Sequence, residues 1–355
     1  MTTITDRITV NLQEAADLAA SVPENRFFFR GEPGIGKSSL AKVLQERTGY
    51  HTVLVDCAGM DLGDGALPMP VNETKTLEYF INSIFGMHTG EPVCLILDEL
   101  SKSSASVFNM FHPLLEVYKP RMGNRLLPEG SIVVMTGNLD IDGVGDQMLA
   151  HSKMRVTEVE VAKHTADEWL VWAADNGIHP VVMAWVKRTP DCMASYRDGG
   201  QDGNPYIFLP NKVQGAVVTG RSLERVSNLV HKRDKYTPNA LLAAMAGTVG
   251  AAAADSMSAF IRHNDSLTPW KDIMESPLTA AIPDNQGALA VMVFGALERI
   301  QNKDELSAFL TYIARADEEW QCVFSISLAK NKKKQGMAFT CKAFAEWCAK
   351  NQDLL

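Results

Sequence analysis

The sequence predicts an α/β chain, with a doubly wound parallel sheet over residues 1–161 and helices from there to the C-terminus. Three observations carry this expectation. VCLILDEL at 93–100 and SIVVMTGN at 131–138 are apolar runs of strand length without alternation, as strands covered on both faces must be. Helical patterns separate such runs, and strands alternating with helices build parallel sheets. Beyond about residue 162 the strand signals fade and the apolar spacing becomes helical.

Taken in order, Asn11 and Glu14 stand at capping-box spacing, so a short helix is expected over 11–21. Residues 27–30, with three consecutive phenylalanines, supply the first strand. GEPGIGKSS follows at 31–39, and from Ser38 the letters SSLAKVLQER place Leu40, Val43 and Leu44 at helical spacing. HTVLVDCAG (51–59) is a β-branched strand, and a long loop with Gly63, Gly65, Pro68 and Pro70 comes after it. Behind the strand at 93–100 a helix carries Phe108, Phe111, Leu114 and Leu115, and a basic turn, KPRMGNRLLPEG, leads into SIVVMTGN. MRVTEVEV (154–161) closes the sheet. The apolar segment 240–254 is too short to span a membrane, contains Gly247 and Gly250, and runs into Asp255, so it reads as a tightly packed helix pair.

Composition sets the class. With 355 residues, 46% hydrophobic, the chain has room for about two or three globular domains. A net charge of −8 gives no nucleic-acid footprint on the chain as a whole. The six cysteines (57, 94, 192, 322, 341, 348) form no C-x-x-C pair, as expected of reduced thiols in a cytoplasmic protein. The N-terminus lacks the basic flank and apolar core of a signal peptide.

The chemistry concentrates at the strand ends. Residues 31–38 fit G-x-x-x-x-G-K-[ST], the phosphate-binding P-loop, in the strand–loop–helix context it requires. Glycines let successive N–H groups turn inward, and the helix N-terminus adds positive partial charge. Gly31, Gly34, Ile35, Gly36, Lys37, Ser38 and Ser39 are therefore expected to hold the phosphates of ATP, with Lys37 on the terminal phosphates and the Ser38 hydroxyl on Mg²⁺. An ordinary glycine turn before a helix could use the same letters. Asp98 at the end of CLILDEL is the expected second Mg²⁺ ligand, on a strand beside the P-loop strand, and Glu99 the group that orients or deprotonates the attacking water. Asn138 ends its strand in a neutral amide able to bond the γ-phosphate or that water, or simply to cap a turn.

P-loop, LILDEL, MTGN and TGRSLERV (219–226) together resemble the AAA+ ATPases, and the phrasing of RLLPEGSIVVMTGN, ADNGIHPVV and TGRSLERVSNLV resembles their MoxR-like, dynein-related branch. The resemblance runs from about residue 10 to 265. It implies an AAA+ core over 1–161, a helical lid over 162–265 and a helical extension over 266–355. It also implies Asn138 as sensor 1, Arg221 as sensor 2 in the lid, and Arg155 as the arginine finger reaching a neighbouring subunit's ATP. The family places a bulky apolar residue after that arginine; here Val156 follows, and Lys153 is a competing cation.

What the resemblance implies about function is an ATP-driven homo-oligomeric ring, usually hexameric. The first reading is a chaperone-like remodeller of a protein partner, with a protein carrying a von Willebrand A domain as the candidate, in a bacterium or phage. The second is a nucleic-acid motor or loader, the third a non-ring P-loop kinase, which would leave Arg221 without a task. The family's pore-facing loops correspond to 60–76, with Leu62, Leu67 and Met69, and to 117–130, with Tyr118, Lys119, Arg121 and Arg125. No membrane partner is expected.

Overall fold

The computed structural model describes residues 8–139, 153–210, 212, 214–265 and 267–351. The chain divides into two compact units, Met1–Lys163 and His164–Leu355.

The first unit opens with helix α1 (Leu12–Ser21), whose capping box forms as the letters require. The Asn11 side chain accepts from the Gln13 and Glu14 N–H groups, and Glu14 returns a carboxylate to the Asn11 N–H at 2.8 Å. Strand β1 (Phe27–Gly31) leads through the P-loop into a 3₁₀ turn over Lys37–Ser39 and helix α2 (Leu40–Thr48). Strand β2 (His51–Asp56) and the short helix α3 (Leu62–Gly65) follow. The expected long loop is instead a hairpin of β3 (Ala66–Val71) and β4 (Thr76–Ile81). Pro68 and Pro70 do not break it, because they pair with Tyr79 and Leu77 at positions whose backbone nitrogens point away from β4. Strand β5 (Val93–Asp98) and helix α4 (Ala105–Phe111) come next. The basic turn is a second small hairpin of β6 (Arg121–Met122) and β7 (Arg125–Leu126), before strands β8 (Ile132–Asn138) and β9 (Thr157–Glu160).

The main sheet is parallel, in the order β2-β5-β8-β1-β9. Side chains alternate between its faces, and each face buries its own core. Phe27 and Phe29, stacked with ring centroids 5.6 Å apart, lie with Cys94, Ile96, Ile132 and Val134 beneath α1 and α2. Phe28, Leu95, Leu97, Val133 and Met135 face the other way, against Val107, Phe111, Leu114 and Leu115. This two-sided burial explains the unbroken apolar runs.

The second unit is helical among its described residues, with one apolar core running from Ala166 to Phe344. Helix Gln286–Arg299 is buried along most of its length and is contacted by helix Pro180–Arg188. The alanine-rich segment is the expected pair of helices, Pro238–Val249 and Ala251–Asp265, split at Gly250. Gly250 has φ +89°, and a Cβ there would stand 2.7 Å from the Ala216 carbonyl oxygen, so glycine is required. No described helix is long and apolar enough to cross a membrane.

Candidate active site

The loop after β1 is shaped by glycine. Gly34 and Gly36 have φ +78° and +91°, in the left-handed region. Gly31 has another constraint: a Cβ would lie 2.3 Å from Ile35 Cδ1 and 2.8 Å from the Val161 carbonyl oxygen. Ile35 is fully buried beneath the loop, so its side chain anchors the cradle and only its backbone can face a ligand. Ser38 is half-buried and Ser39 exposed in the 3₁₀ turn, where the Ser39 N–H donates to the Gly36 carbonyl at 2.7 Å.

Lys37 folds back across this loop. Its Nζ donates to the carbonyls of Gly31 (2.8 Å) and Glu32 (2.9 Å) and to Asn138 Oδ1 (2.9 Å). Asn138 Nδ2 donates in turn to Glu99 Oε1 at 3.2 Å, and Lys102 Nζ reaches the same oxygen at 2.8 Å. P-loop, Glu99 and Asn138 are thus joined in one polar chain, Lys37–Asn138–Glu99–Lys102. Glu99 adopts φ +51°, a left-handed conformation that non-glycine residues hold only when their surroundings impose it. Its N–H is held by the Thr136 carbonyl at 3.0 Å.

Asp98 ends β5 half-buried, and one carboxylate oxygen accepts a short hydrogen bond from the Thr136 hydroxyl, its register partner on β8. The strand beside β1 is not β5, as expected, but β8, which lies between them. A direct β1–β5 pairing would leave Asn138 outside the gap; the inserted strand instead sets Asn138 between Lys37 and Glu99. Cys57 abuts Asp98, its N–H on the Asp98 carbonyl at 3.1 Å, and burial pushes its thiol up to about 12, so it stays protonated beside the carboxylate.

The residues present fit a magnesium nucleotide. Positive-φ glycines clear the cradle, an ammonium sits across its mouth, and the Ser38 hydroxyl and Asp98 carboxylate are oxygen donors of the kind Mg²⁺ takes. Two contributors carry no motif of their own. Lys102 lies three residues after Glu99, and Thr136 is a lone polar residue two places before Asn138. Arg30 is a third: buried on β1, it donates to the Asn138 carbonyl (3.1 Å) and pairs with Glu158 (2.7 Å), fixing the strand tip from below.

Two predicted residues belong to other elements. Arg155 stands before β9, half-exposed, with its Nε on Glu116 at 3.0 Å, while Lys153 is exposed; His151 and Ser152 of the same segment lie outside the described residues. Val156 packs partly against the core beneath α4. Arg221 is in the second unit, exposed in the first turn of helix Gly220–His231, which Thr219 caps.

Residues 26–138 match the family model for the AAA domain of the dynein-related subfamily. Among solved structures the chain is similar to a mutant RuvB from Thermotoga maritima (13% identity, 76% of this chain and 79% of that one, TM-score 0.38). It is also similar to NtrX from Brucella abortus in complex with ADP (14% identity, 97% and 67%, TM-score 0.39) and to a putative ATPase from Cytophaga hutchinsonii (11%, 68% and 82%, TM-score 0.34). No curated protein matches the sequence. The family match falls on the stretch that builds the polar chain just described: over residues 26–138 this chain is similar to the AAA domains of the dynein-related subfamily.

Proposed function

We propose that the protein is a subunit of a ring-forming, MoxR-like AAA+ ATPase that uses ATP hydrolysis to remodel or mature a protein partner. The nucleotide-binding core ends near residue 161, the lid runs over 162–265, and 266–355 is a helical extension. Gly31, Gly34, Ile35, Gly36, Lys37, Ser38 and Ser39 bind the nucleotide, the glycine-rich backbone taking the phosphates. Ser38 and Asp98 hold Mg²⁺, with Thr136 orienting the Asp98 carboxylate. Bound Mg²⁺ supplies positive charge to the transferring phosphoryl group. Glu99 orients and deprotonates the attacking water, and Asn138 positions it from the neighbouring strand tip. Arg221 acts from the lid as sensor 2, and Arg155 reaches a neighbouring subunit's site, which requires its pair with Glu116 to open. A surface pair of this kind is held by about 1 kcal/mol or less.

The observation that carries the choice of a protein substrate is the β3–β4 hairpin. Leu67, Met69 and Phe80 share one of its faces and are 51%, 45% and 66% exposed, an apolar surface that recognises protein side chains rather than phosphate. Nucleic-acid binding through phosphate contacts would weaken steeply with salt. ATP turnover should therefore ignore added single- or double-stranded DNA at low salt. It should respond to the partner protein, for which one with a von Willebrand A domain is the candidate to test, and Leu67→Ala with Met69→Ala should remove that response. Several-fold stimulation by DNA that vanishes with salt and with Lys119, Arg121 and Arg125 changed to alanine would overturn the assignment. Native mass measurement with nucleotide tests the ring.

A further inference from the structure

The turn that follows β5 is tied down at both ends. The Glu99 N–H donates to the Thr136 carbonyl at 3.0 Å, the Lys102 N–H to the Glu99 carbonyl at 2.9 Å, and the Ser103 N–H to the Leu100 carbonyl at 3.2 Å. Leu100, 1% exposed, is sunk into the core beneath. The result is one 3₁₀ turn, Leu100–Lys102, entered through the left-handed Glu99. Side chains three residues apart eclipse in a 3₁₀ turn. Lys102 is therefore set over Glu99 by the backbone itself, and its Nζ meets Glu99 Oε1 at 2.8 Å.

The two oxygens of Glu99 are consequently unequal. Oε1 accepts from Lys102 Nζ and, at 3.2 Å, from Asn138 Nδ2, whereas among the described residues no hydrogen bond reaches Oε2. The terminal torsion of a carboxylate side chain is broad and twofold, so without a hold the two oxygens trade places. Of the two donors the ammonium is the nearer, and its bond is charge-assisted on both sides, which makes it the stronger. Asn138 has a second engagement, accepting from Lys37 at 2.9 Å, and its amide is the group proposed above to position the attacking water. When that amide turns to water or phosphate, Lys102 keeps Oε1. We infer that Lys102 is a positioning residue for Glu99: it pins Oε1 and so presents Oε2 to the attacking water throughout turnover. The inference rests on the reading of Glu99 as the group that deprotonates that water. The hold is modest, because the two side chains are 30% and 36% exposed and water screens the pair.

The test uses the full chain with Lys102→Met, which keeps an unbranched side chain and removes the charge. Turnover (kcat) should fall about fivefold, the rate equivalent of a screened ion pair. KM for ATP and the calorimetric affinity for ADP should stay within about twofold, since no contact with the nucleotide is lost. Lys102→Arg should restore turnover, because a single oxygen is held and a guanidinium reaches it. In the Glu99→Gln background Lys102→Met should cost nothing further, the group it acts through being altered already. A readout without turnover is the side-chain amide resonance of Asn138 in nucleotide-free protein, which should move in Lys102→Met because that amide shares Oε1. Unchanged kcat in Lys102→Met, an unmoved Asn138 resonance, no rescue by arginine, or a further loss in the Glu99→Gln background overturns the proposal. So does a rise in KM at constant kcat, which would put Lys102 on a nucleotide instead. Failure of the underlying reading looks different: Glu99→Gln alone would then turn over near the wild-type rate.

Discussion

Asn138 is where the two halves of the proposed nucleotide site meet, and Asn138→Asp separates nucleotide binding from fold stability. In the native site Nδ2–H donates to Glu99 at 3.2 Å and Oδ1 accepts from Lys37 at 2.9 Å. Aspartate offers no N–H, so one contact becomes carboxylate against carboxylate while the other gains an ionic attraction. At an effective dielectric constant of about 20, unit charges about 3 Å apart interact by about 5 kcal/mol. The Glu99 side chain is 36% exposed, and water screens such contacts to about 1 kcal/mol or less. Repulsion and attraction then offset each other in the nucleotide-free protein, and Tm should change little. Bound nucleotide ends that balance, because phosphate charge draws on Lys37 and is itself repelled by the new carboxylate. Affinity should fall by about 10–100-fold, the equivalent of 1.4–2.8 kcal/mol. Asn138→Ala should instead keep nucleotide affinity within about threefold and slow turnover by about 10²-fold, as loss of one preorganised donor does. Calorimetry with ADP and steady-state phosphate release read the two effects. Equal nucleotide affinity in the aspartate and alanine variants would refute the claim that this amide faces the phosphates.

Four further outcomes are expected. Lys37→Ala should abolish tight ATP binding, and calorimetry showing full affinity would remove the P-loop assignment. Glu99→Gln should still bind Mg·ATP but hydrolyse it about 10²–10⁴-fold more slowly; turnover near wild type would make Glu99 structural. Arg155→Ala should bind nucleotide normally, hydrolyse poorly, and regain activity when mixed with Lys37→Ala subunits, and no rescue in rings shown by mass to contain both would count against a trans role. Burial holds His179 down to about 3, so the unfolded chain binds its proton near pH 6.5 and the native chain does not; stability should be full above pH 6.5 and decline by up to about 1.4 kcal/mol per unit as pH falls toward 3. His179→Gln should flatten that decline in a urea titration series, and an unchanged slope would show that other groups set it.

The sheet was legible because its strands bury both faces, leaving unbroken apolar runs, and α1 because Asn11 and Glu14 form the box their spacing announces. The β3–β4 hairpin was hidden by its prolines and glycines, which read as loop punctuation until pairing shows which nitrogens need no partner. Phe80 went unnoticed for the same reason, although TLEYFI is a plausible strand. Gly31, Lys37, Glu99 and Asn138 announced themselves as motifs. Thr136 and Lys102 did not, because their roles depend on the register of β5 against β8 and on the turn after Asp98. Strand order is likewise a long-range property: nothing local to 93–100 says that β8 will intervene before β1.

The placement of Pro68 and Pro70 has a consequence for solubility. A hairpin with Leu67, Met69 and Phe80 uncovered is what edge-to-edge aggregation feeds on. Along the free edge of β3, however, two of the three outward backbone positions are proline, so that edge presents carbonyls almost without N–H groups. On β4 the outward Tyr79 N–H is already taken by the Asn124 side chain at 3.4 Å. An incoming strand finds an incomplete hydrogen-bond ladder on either side. The hairpin can therefore keep greasy side chains in solvent without recruiting another copy of itself into a growing sheet, and Pro68→Thr with Pro70→Thr would restore the missing donors and with them the tendency to polymerise.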